Sequence, residues 1–359
     1  MKNIIFFFGS FDPLHKGHIS IIEEAIKKVS ASCLYIGLNK SSSKGKLTSY
    51  YHRKNMIKEY VKTNDKCMLV PFSFDFKNIE DTYNKIFNML KEDCNYYILI
   101  GQDQLSSLKN WYNYDYLLKS FSFIVAKRGD IEIDKKYLKN PKYIFIDHKY
   151  KEVSSTIIKK GNYNYTTSSI TNYILEHNLY LKQQISSYLS ESRYKHSISV
   201  AKTALLINKN ANLGLDKYKV EKAALLHDIA KNLKKDTQYK LMREYYSYYS
   251  NSNPNIFHQY LGEYIAREKF FVYDETILNA IKYHTTGSAR MSLLEKLIFV
   301  SDKIEPTREY NTKPMINACI HNFEKGFKKV LQNNKKYIRI PSNENLDEKS
   351  KECYDYYLK

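Results

Sequence analysis

The stretch GSFDPLHKGH, residues 9–18, sets two imidazoles, His15 and His18, among two glycines, Gly9 and Gly17. It follows the apolar run Ile4 to Phe8, which suits a strand buried on both faces. A strand that opens straight into a helix presents free backbone N–H groups at the helix's positive end, a ready seat for an anion. Gly9 and Gly17 let the main chain approach a phosphate closely, and His15 and His18 can share one face of the first helical turn. Nothing in the stretch reads as an activated nucleophile. The chemistry it suits is positioning and charge stabilisation in phosphoryl or nucleotidyl transfer.

A second constellation lies far downstream: His196 in RYKHSISVAKTA, His227 and Asp228 in ALLHDIAK, His258 in FHQYLGEYIA, His284 in KYHTTG and Asp302 in FVSDKIEPTR. Imidazoles and carboxylates drawn from separate helices suit a site for one or two divalent first-row metals, because each supplies one N or O donor and no single helix can surround an ion. A bridging Asp could hold two ions close enough to activate water and clamp a phosphate.

The elements that must position these groups follow from periodicity. Short apolar or β-branched runs recur at Asn3–Phe8, Cys33–Leu38, Met68–Phe72, Tyr96–Ile100, Phe121–Ala126 and Tyr143–Ile146, with helical patterns between most of them. Ile19–Lys28 shows the helical spacing, closing on Lys27 and Lys28 where cations suit the dipole. This alternation predicts a parallel sheet covered by helices. From Leu181 onward the patterns are helical, as in His196–Asn208, Val220–Asp228 and Leu261–Lys269. The expected division is therefore an α/β domain over residues 1–182 and an all-α domain over 183–359.

Bulk properties bound the function. The chain has 359 residues, 43% of them hydrophobic, which fits two globular domains rather than a disordered chain. The run Ile4 to Phe8 is too short for a signal-peptide core, and no stretch approaches the ~18 apolar residues of a membrane span. Five scattered cysteines without a CxxC pair fit reduced thiols. A cytoplasmic protein with no membrane partner is the expectation. The net charge of +19 invites a nucleic-acid reading, but residues 1–180 hold 27 Lys/Arg against 18 Asp/Glu and residues 181–359 hold 30 against 20. So even an excess argues against a basic stripe, and no specific nucleic-acid partner is expected.

GSFDPLHKGH resembles the signature of the HxGH nucleotidyltransferases, and specifically of the nicotinate-nucleotide adenylyltransferases, which join ATP to nicotinate mononucleotide and release pyrophosphate. Further segments are similar in order: His52-Arg53 with Met56 to HRxxM, GQDQLSSLKNW (101–111) to GxDxLxxLxxW, Lys127-Arg128-Gly129 to the RPG turn, and VSSTIIKKG (153–161) to the ISSTxIR phosphate loop. The resemblance implies a Rossmann-like fold in which Gly9, Ser10 and Phe11 shape the nucleotide pocket and His15 and His18 hold the ATP phosphates. It also implies that Gly101, Asp103, Trp111 and Arg128 belong to the dinucleotide pocket and Ser154, Ser155 and Thr156 to the triphosphate side. Asp81 and Thr82, in IEDTY, would occupy the family's SYTxDTL segment. Mg2+ is expected on the ATP phosphates rather than in a protein cage. Three departures stand out: Phe8 replaces the family's first Gly, Lys159 replaces the closing Arg, and SSSKGK (41–46) replaces a proline-rich loop.

The second constellation is similar to the HD-domain phosphohydrolases, and HDIAK, YHTTG and SDKIEPTR resemble the symmetrical bis(5'-nucleosyl)-tetraphosphatase branch. That resemblance spans about residues 190–310. It implies that His196, His227, Asp228 and Asp302 bind one metal, that His258 and His284 complete a second site sharing Asp228, and that Lys231 and Arg308 face the phosphates. Fe or Mn is favoured over Zn because no Cys joins the set. The expected reaction is hydrolysis of a dinucleoside tetraphosphate to two ADP. Taken together, the resemblances imply a bifunctional enzyme of NAD biosynthesis, with an oligomer left open. A second reading keeps both folds but gives the first another mononucleotide or phosphopantetheine as acceptor and the second another nucleotide. A third makes the basic chain an RNA-binding protein with inactive domains; it predicts steeply salt-dependent RNA affinity and no bound metal.

Overall fold

The computed structural model describes residues 1–40, 46–75, 78–128, 133–339 and 347–359. The chain divides into two compact units, Met1–Ile174 and Leu175–Lys359, against the 182/183 division expected from the pattern. In sequence, polar KQQISS (182–187) reads as the start of a new amphipathic stretch, which set that expectation. In the structure, Leu181 and Ile185 are buried in the core of the second unit.

The first unit alternates strands and helices: β1 (Lys2–Gly9), α1 (Lys16–Lys28), β2 (Cys33–Leu38), α2 (Tyr50–Val61), β3 (Cys67–Leu69), α3 (Ile79–Phe87), β4 (Cys94–Gly101), α4 (Tyr114–Ser120), β5 (Ser122–Ala126), α5 (Lys135–Leu138), β6 (Tyr143–Ile146), α6 (Ser155–Lys159) and α7 (Ser168–Glu176). All six strands run parallel in the order β3-β2-β1-β4-β5-β6. The expected α/β sheet is therefore present. Strand β3 is shorter than the expected Met68–Phe72, because Pro71 has no N–H to extend an edge ladder. Strand β1 lies at the centre with Ile5 and Phe6 fully buried, and the order reverses between β1 and β4. Outside the carboxyl ends of strands at such a reversal, α/β sheets open a crevice.

The second unit is helical: α8 (Leu181–Ile185), α9 (Glu191–Asn210), α10 (Lys217–Leu226), α11 (Lys235–Tyr245), α12 (Phe257–Phe270), α13 (Glu275–Lys282), α14 (Leu293–Ile304), α15 (Lys313–His321), α16 (Phe323–Arg339) and α17 (Glu348–Leu358). One apolar core runs through it, from Val200 and Ala204 of α9 to Phe299 of α14. The lysine-rich C-terminal stretch is part of this fold: Phe327, Leu331, Cys353 and Tyr354 are buried in the same core. Its Lys335 lies over the Tyr354 ring, 5.5 Å from the centroid. Helix α10 stops at Leu226, two residues short of the expected Asp228, so His227 and Asp228 stand at a helix end and in the turn that follows.

Candidate active sites

In the first unit, the turn between β1 and α1 is held from several sides. The buried Arg53 of α2 donates from Nη1 to the Ser10 carbonyl at 2.8 Å and from Nε to the Thr48 carbonyl at 2.9 Å. Ser155 Oγ donates to the Pro13 carbonyl at 3.0 Å and Thr166 Oγ1 to the Leu14 carbonyl at 2.8 Å. Asp12, buried, accepts from the Thr48 N–H at 3.1 Å and pairs with Lys159 Nζ at 2.7 Å. Lys159 therefore braces the loop through Asp12.

This scaffold presents the histidines. His15 caps α1, its Nδ1 accepting the His18 N–H at 3.4 Å, and the two rings stack with centroids 3.7 Å apart. Nδ1 of His18 is buried with no protein partner. A methyl group on Gly17 would come within 3.0 Å of the His15 ring, so glycine there makes room for the imidazole. Burial pushes the His15 pKa down to about 4, helped by the Arg128 charge, and burial with the neighbouring His15 holds His18 well below its ordinary value. Both rings are neutral near pH 7, and a bound polyphosphate would supply the anionic partners they lack.

Gly9, Ser10, Phe11, His15, His18, Gly101, Asp103, Arg128, Ser154, Ser155 and Thr156 line one cleft of about 610 Å³. Phe8, Asn39, His148 and Lys151 line it too; only Phe8 among them stood out in the sequence, as a departure. Three expected residues lie elsewhere. Thr82 is buried, accepts the Asp75 N–H at 3.2 Å and donates back to the Asn78 carbonyl at 3.1 Å, so its hydroxyl is spent within the turn that opens α3 and is not among the groups lining the cleft. Asp81 pairs with Lys85 on the exposed face of that helix. Trp111 is half-buried, packed against the aromatic cluster to which Tyr83 and Leu108 belong. Gly129 and residues 41–45 of the SSSKGK loop fall outside the described residues.

In the second unit, six side chains from five segments converge. His196 comes from α9, His227 and Asp228 from the end of α10, His258 from α12, His284 from the turn after α13 and Asp302 from α14. His227 and His284 each turn Nδ1 onto a carbonyl of the preceding turn, Ala224 and Ile281, at 2.7 Å. His196 sets Nδ1 against Glu305 Oε1 at 3.0 Å. All three thereby present Nε2 to one centre, the orientation metal-ligating histidines adopt. His258 lacks such an anchor, its ring nitrogens lying 3.2 and 3.3 Å from Lys231 Nζ.

Asp228 joins two groups. Its Oδ2 lies 3.9 Å from His196 Nε2 and 3.8 Å from His227 Nε2, while Oδ1 lies 3.4 Å from His258 Nε2 and 3.5 Å from His284 Nε2. Each trio could hold one metal ion, with Asp228 common to both. Asp302 Oδ1 flanks the first trio, 3.1 Å from His196 Nε2. The donors fit a divalent metal: burial penalises both carboxylates, yet the surrounding charges and hydrogen bonds hold Asp228 and Asp302 well below the usual range. Burial holds His227 neutral, its pKa about 4. For His196 burial works the other way from its neighbours, and hydrogen bonds to Asp302 and Glu305 prevail, taking its pKa up to about 9, so a metal would displace a proton there.

Cations ring this centre. Arg193 Nη1 lies 3.1 Å from Asp228 Oδ2, Lys303 Nζ 3.0 Å from Asp302 Oδ2 and Arg308 Nη2 2.8 Å from Asp302 Oδ1. Burial, with the Arg193 and Lys303 charges, outweighs nearby carboxylates and lowers the Lys231 pKa. Sequence reasoning named Lys231 and Arg308 but missed Arg193, Lys303, Glu305 and Thr285, whose hydroxyl sits 3.1 Å from His258 Nε2 and 3.0 Å from His284 Nε2. Arg193 and Glu305 lie in the same short segments as His196 and Asp302, the available signal.

A parallel-sheet nucleotidyltransferase site and a helical His/Asp metal site define the class of each unit. In agreement, the cytidylyltransferase-like family model matches residues 6–161 and the HD domain model residues 193–307. A probable nicotinate-nucleotide adenylyltransferase/Ap4A hydrolase of Mycoplasma genitalium is 28% identical over 320 residues, 86% of this chain and 89% of that protein. A symmetrical bis(5'-nucleosyl)-tetraphosphatase of Halalkalibacterium halodurans is 41% identical over 133 residues, 36% of this chain and 68% of its own. A probable nicotinate-nucleotide adenylyltransferase of Fusobacterium nucleatum is 31% identical over 165 residues, 44% and 85% of the two chains. The chain belongs to the nicotinate-nucleotide adenylyltransferase family in its first part and to the symmetrical bis(5'-nucleosyl)-tetraphosphatase family of HD-domain proteins in its second.

Proposed function

We propose that the first unit transfers the adenylyl group of ATP to nicotinate mononucleotide, and that the second hydrolyses dinucleoside tetraphosphate symmetrically to two ADP. The observation that carries this reading is that each unit holds a whole set of groups for its reaction: stacked His15 and His18 facing a cleft lined by Ser154 to Thr156, and Asp228 shared between two His trios.

In the first reaction an acceptor phosphate oxygen attacks the α-phosphorus of ATP, and the bond to the β-phosphate oxygen breaks to release pyrophosphate. No protein nucleophile is needed. His15 and His18 donate hydrogen bonds to the phosphate oxygens where negative charge builds, and the free Nδ1 of His18 gains its partner then. Ser154, Ser155 and Thr156 orient the triphosphate, and Arg128 stands by as a surface cation. Mg2+ would enter with the nucleotide and neutralise its phosphates.

In the second unit, His196, His227, Asp228 and Asp302 would hold one divalent ion, and His258 and His284 with Asp228 a second. The N/O donor set favours Fe or Mn. Such ions supply Lewis-acid activation of water and of the phosphate under attack. Lys231, Arg193, Lys303 and Arg308 hold the tetraphosphate and stabilise the departing ADP. Thr285, touching two of these histidines, offers a hydroxyl to a phosphate oxygen.

The lack of a disulfide at any of the five cysteines supports a cytoplasmic setting. The reading is tested by assaying pyrophosphate release from ATP with nicotinate or nicotinamide mononucleotide, and ADP release from diadenosine tetraphosphate. Replacing His15 and His18 together by Ala abolishes the first product; retained turnover would remove these residues from the mechanism.

A further inference from the structure

Phe8 closes the apolar run of β1 at the rim of the transferase cleft, and the structure shows what its ring does there. Strand β1 pairs Phe8 with Gly37 of β2, and a methyl group on Gly37 would lie 2.2 Å from Phe8 Cδ1. One edge of the ring, Cδ1 and Cε1, therefore occupies the space over that glycine, room a larger residue would deny it. The ring also packs against Phe74 at a tilt, centroids 5.0 Å apart. Phe8 remains partly exposed and lines the cleft.

Successive side chains of a strand point to opposite faces of the sheet. Phe7 points to the α1 face, where its ring meets those of Phe11 and His18. Phe8 points to the other face, with Phe6 and the aromatic cluster that holds Tyr35, Tyr83 and Trp111. The phosphate-handling histidines and the Phe8 ring thus occupy opposite sides of the β1 terminus. Beside Phe8, at the end of β2, the Asn39 amide oxygen is buried without a protein partner and also lines the cleft. An aromatic plane next to an unmet hydrogen-bond acceptor is suited to a flat heterocycle carrying a donor or a sugar hydroxyl.

We infer that Phe8, seated on Gly37, is a specificity-determining residue of the transferase cleft: its ring contacts the heterocycle of the mononucleotide acceptor, on the side of β1 away from the His15/His18 phosphate site. The inference rests on the adenylyl-transfer reading and adds an acceptor contact to it.

Phe8→Leu, which keeps most of the apolar volume, separates stacking from packing. Steady-state kinetics with nicotinate mononucleotide and ATP should show the acceptor KM raised roughly 5- to 150-fold, the range for loss of one base–aromatic contact, with the KM for ATP unchanged. Phe8→Tyr should restore the acceptor KM. Gly37→Ala, which pushes the ring off its seat, should raise the acceptor KM in the same selective way. An acceptor KM unaltered in Phe8→Leu, or both KM values rising together, would overturn the inference. If the wild-type chain releases no pyrophosphate with any mononucleotide, the adenylyl-transfer reading itself has failed, a result distinct from either.

Discussion

Two histidines stacked 3.7 Å apart are tolerable only while at least one stays neutral, and burial keeps His15 neutral down to about pH 4. In the unfolded chain the same imidazole titrates near its ordinary value of about 6.5. Between these values the unfolded state binds more protons, so stability from this site is full above about pH 6.5 and is lost as pH falls through about 4. His15→Asn keeps a capping side chain but cannot titrate, and should flatten the pH dependence of the first unit's melting temperature between pH 4 and 6.5. An unchanged slope would show that His15 does not drive it. Glu305 makes a comparable residue-scale case in the second unit: fully buried, it accepts from His196 Nδ1 and from the N–H and hydroxyl of Thr307, both at 2.7 Å. Replacing it by Ala should weaken metal retention about 10- to 100-fold in chelator competition. Equal retention would make Glu305 a helix-end residue with no bearing on His196.

At the scale of elements, most of the scaffold was legible because hydrophobic period reports burial directly. All six strands were read near their positions, since the central ones are apolar on both faces. The convergence of the His/Asp groups was legible because they are drawn from separate helical segments, and the family resemblance supplied their order. What escaped depended on where a side chain spends its hydrogen bonds: Thr82 bonds back to the Asn78 carbonyl of its own helix, and Lys159 pairs with Asp12 across 147 positions. The C-terminal helix shows the same limit. Its lysines suggest a solvated tail, yet Cys353 is fully buried and its Sγ would lie 2.5 Å from a methyl group on Gly287. Gly287 holds φ at +70°, just beyond His284 and Thr285. Gly287→Ala should therefore destabilise the second unit by roughly 2–5 kcal/mol, summing left-handed backbone strain and overpacking. Adding Cys353→Ala should recover the packing part in denaturant titrations. No recovery would place the whole cost in the backbone.

For the whole molecule, two chemistries sit on one chain, each with its own set of groups among the described residues. The nucleotidyltransferase cleft is built within Met1–Ile174, and both His trios lie within Leu175–Lys359. Asp228 is the most economical place to test this, because among the described residues it is the one common to both trios, and it is not among the residues lining the first cleft. The decisive measurement is product analysis of the Asp228→Ala protein given ATP with nicotinate mononucleotide and, separately, diadenosine tetraphosphate. Pyrophosphate and the dinucleotide should still form at the wild-type rate while ADP formation from the tetraphosphate disappears. Persistent ADP release, or loss of both products from a folded protein, would contradict it.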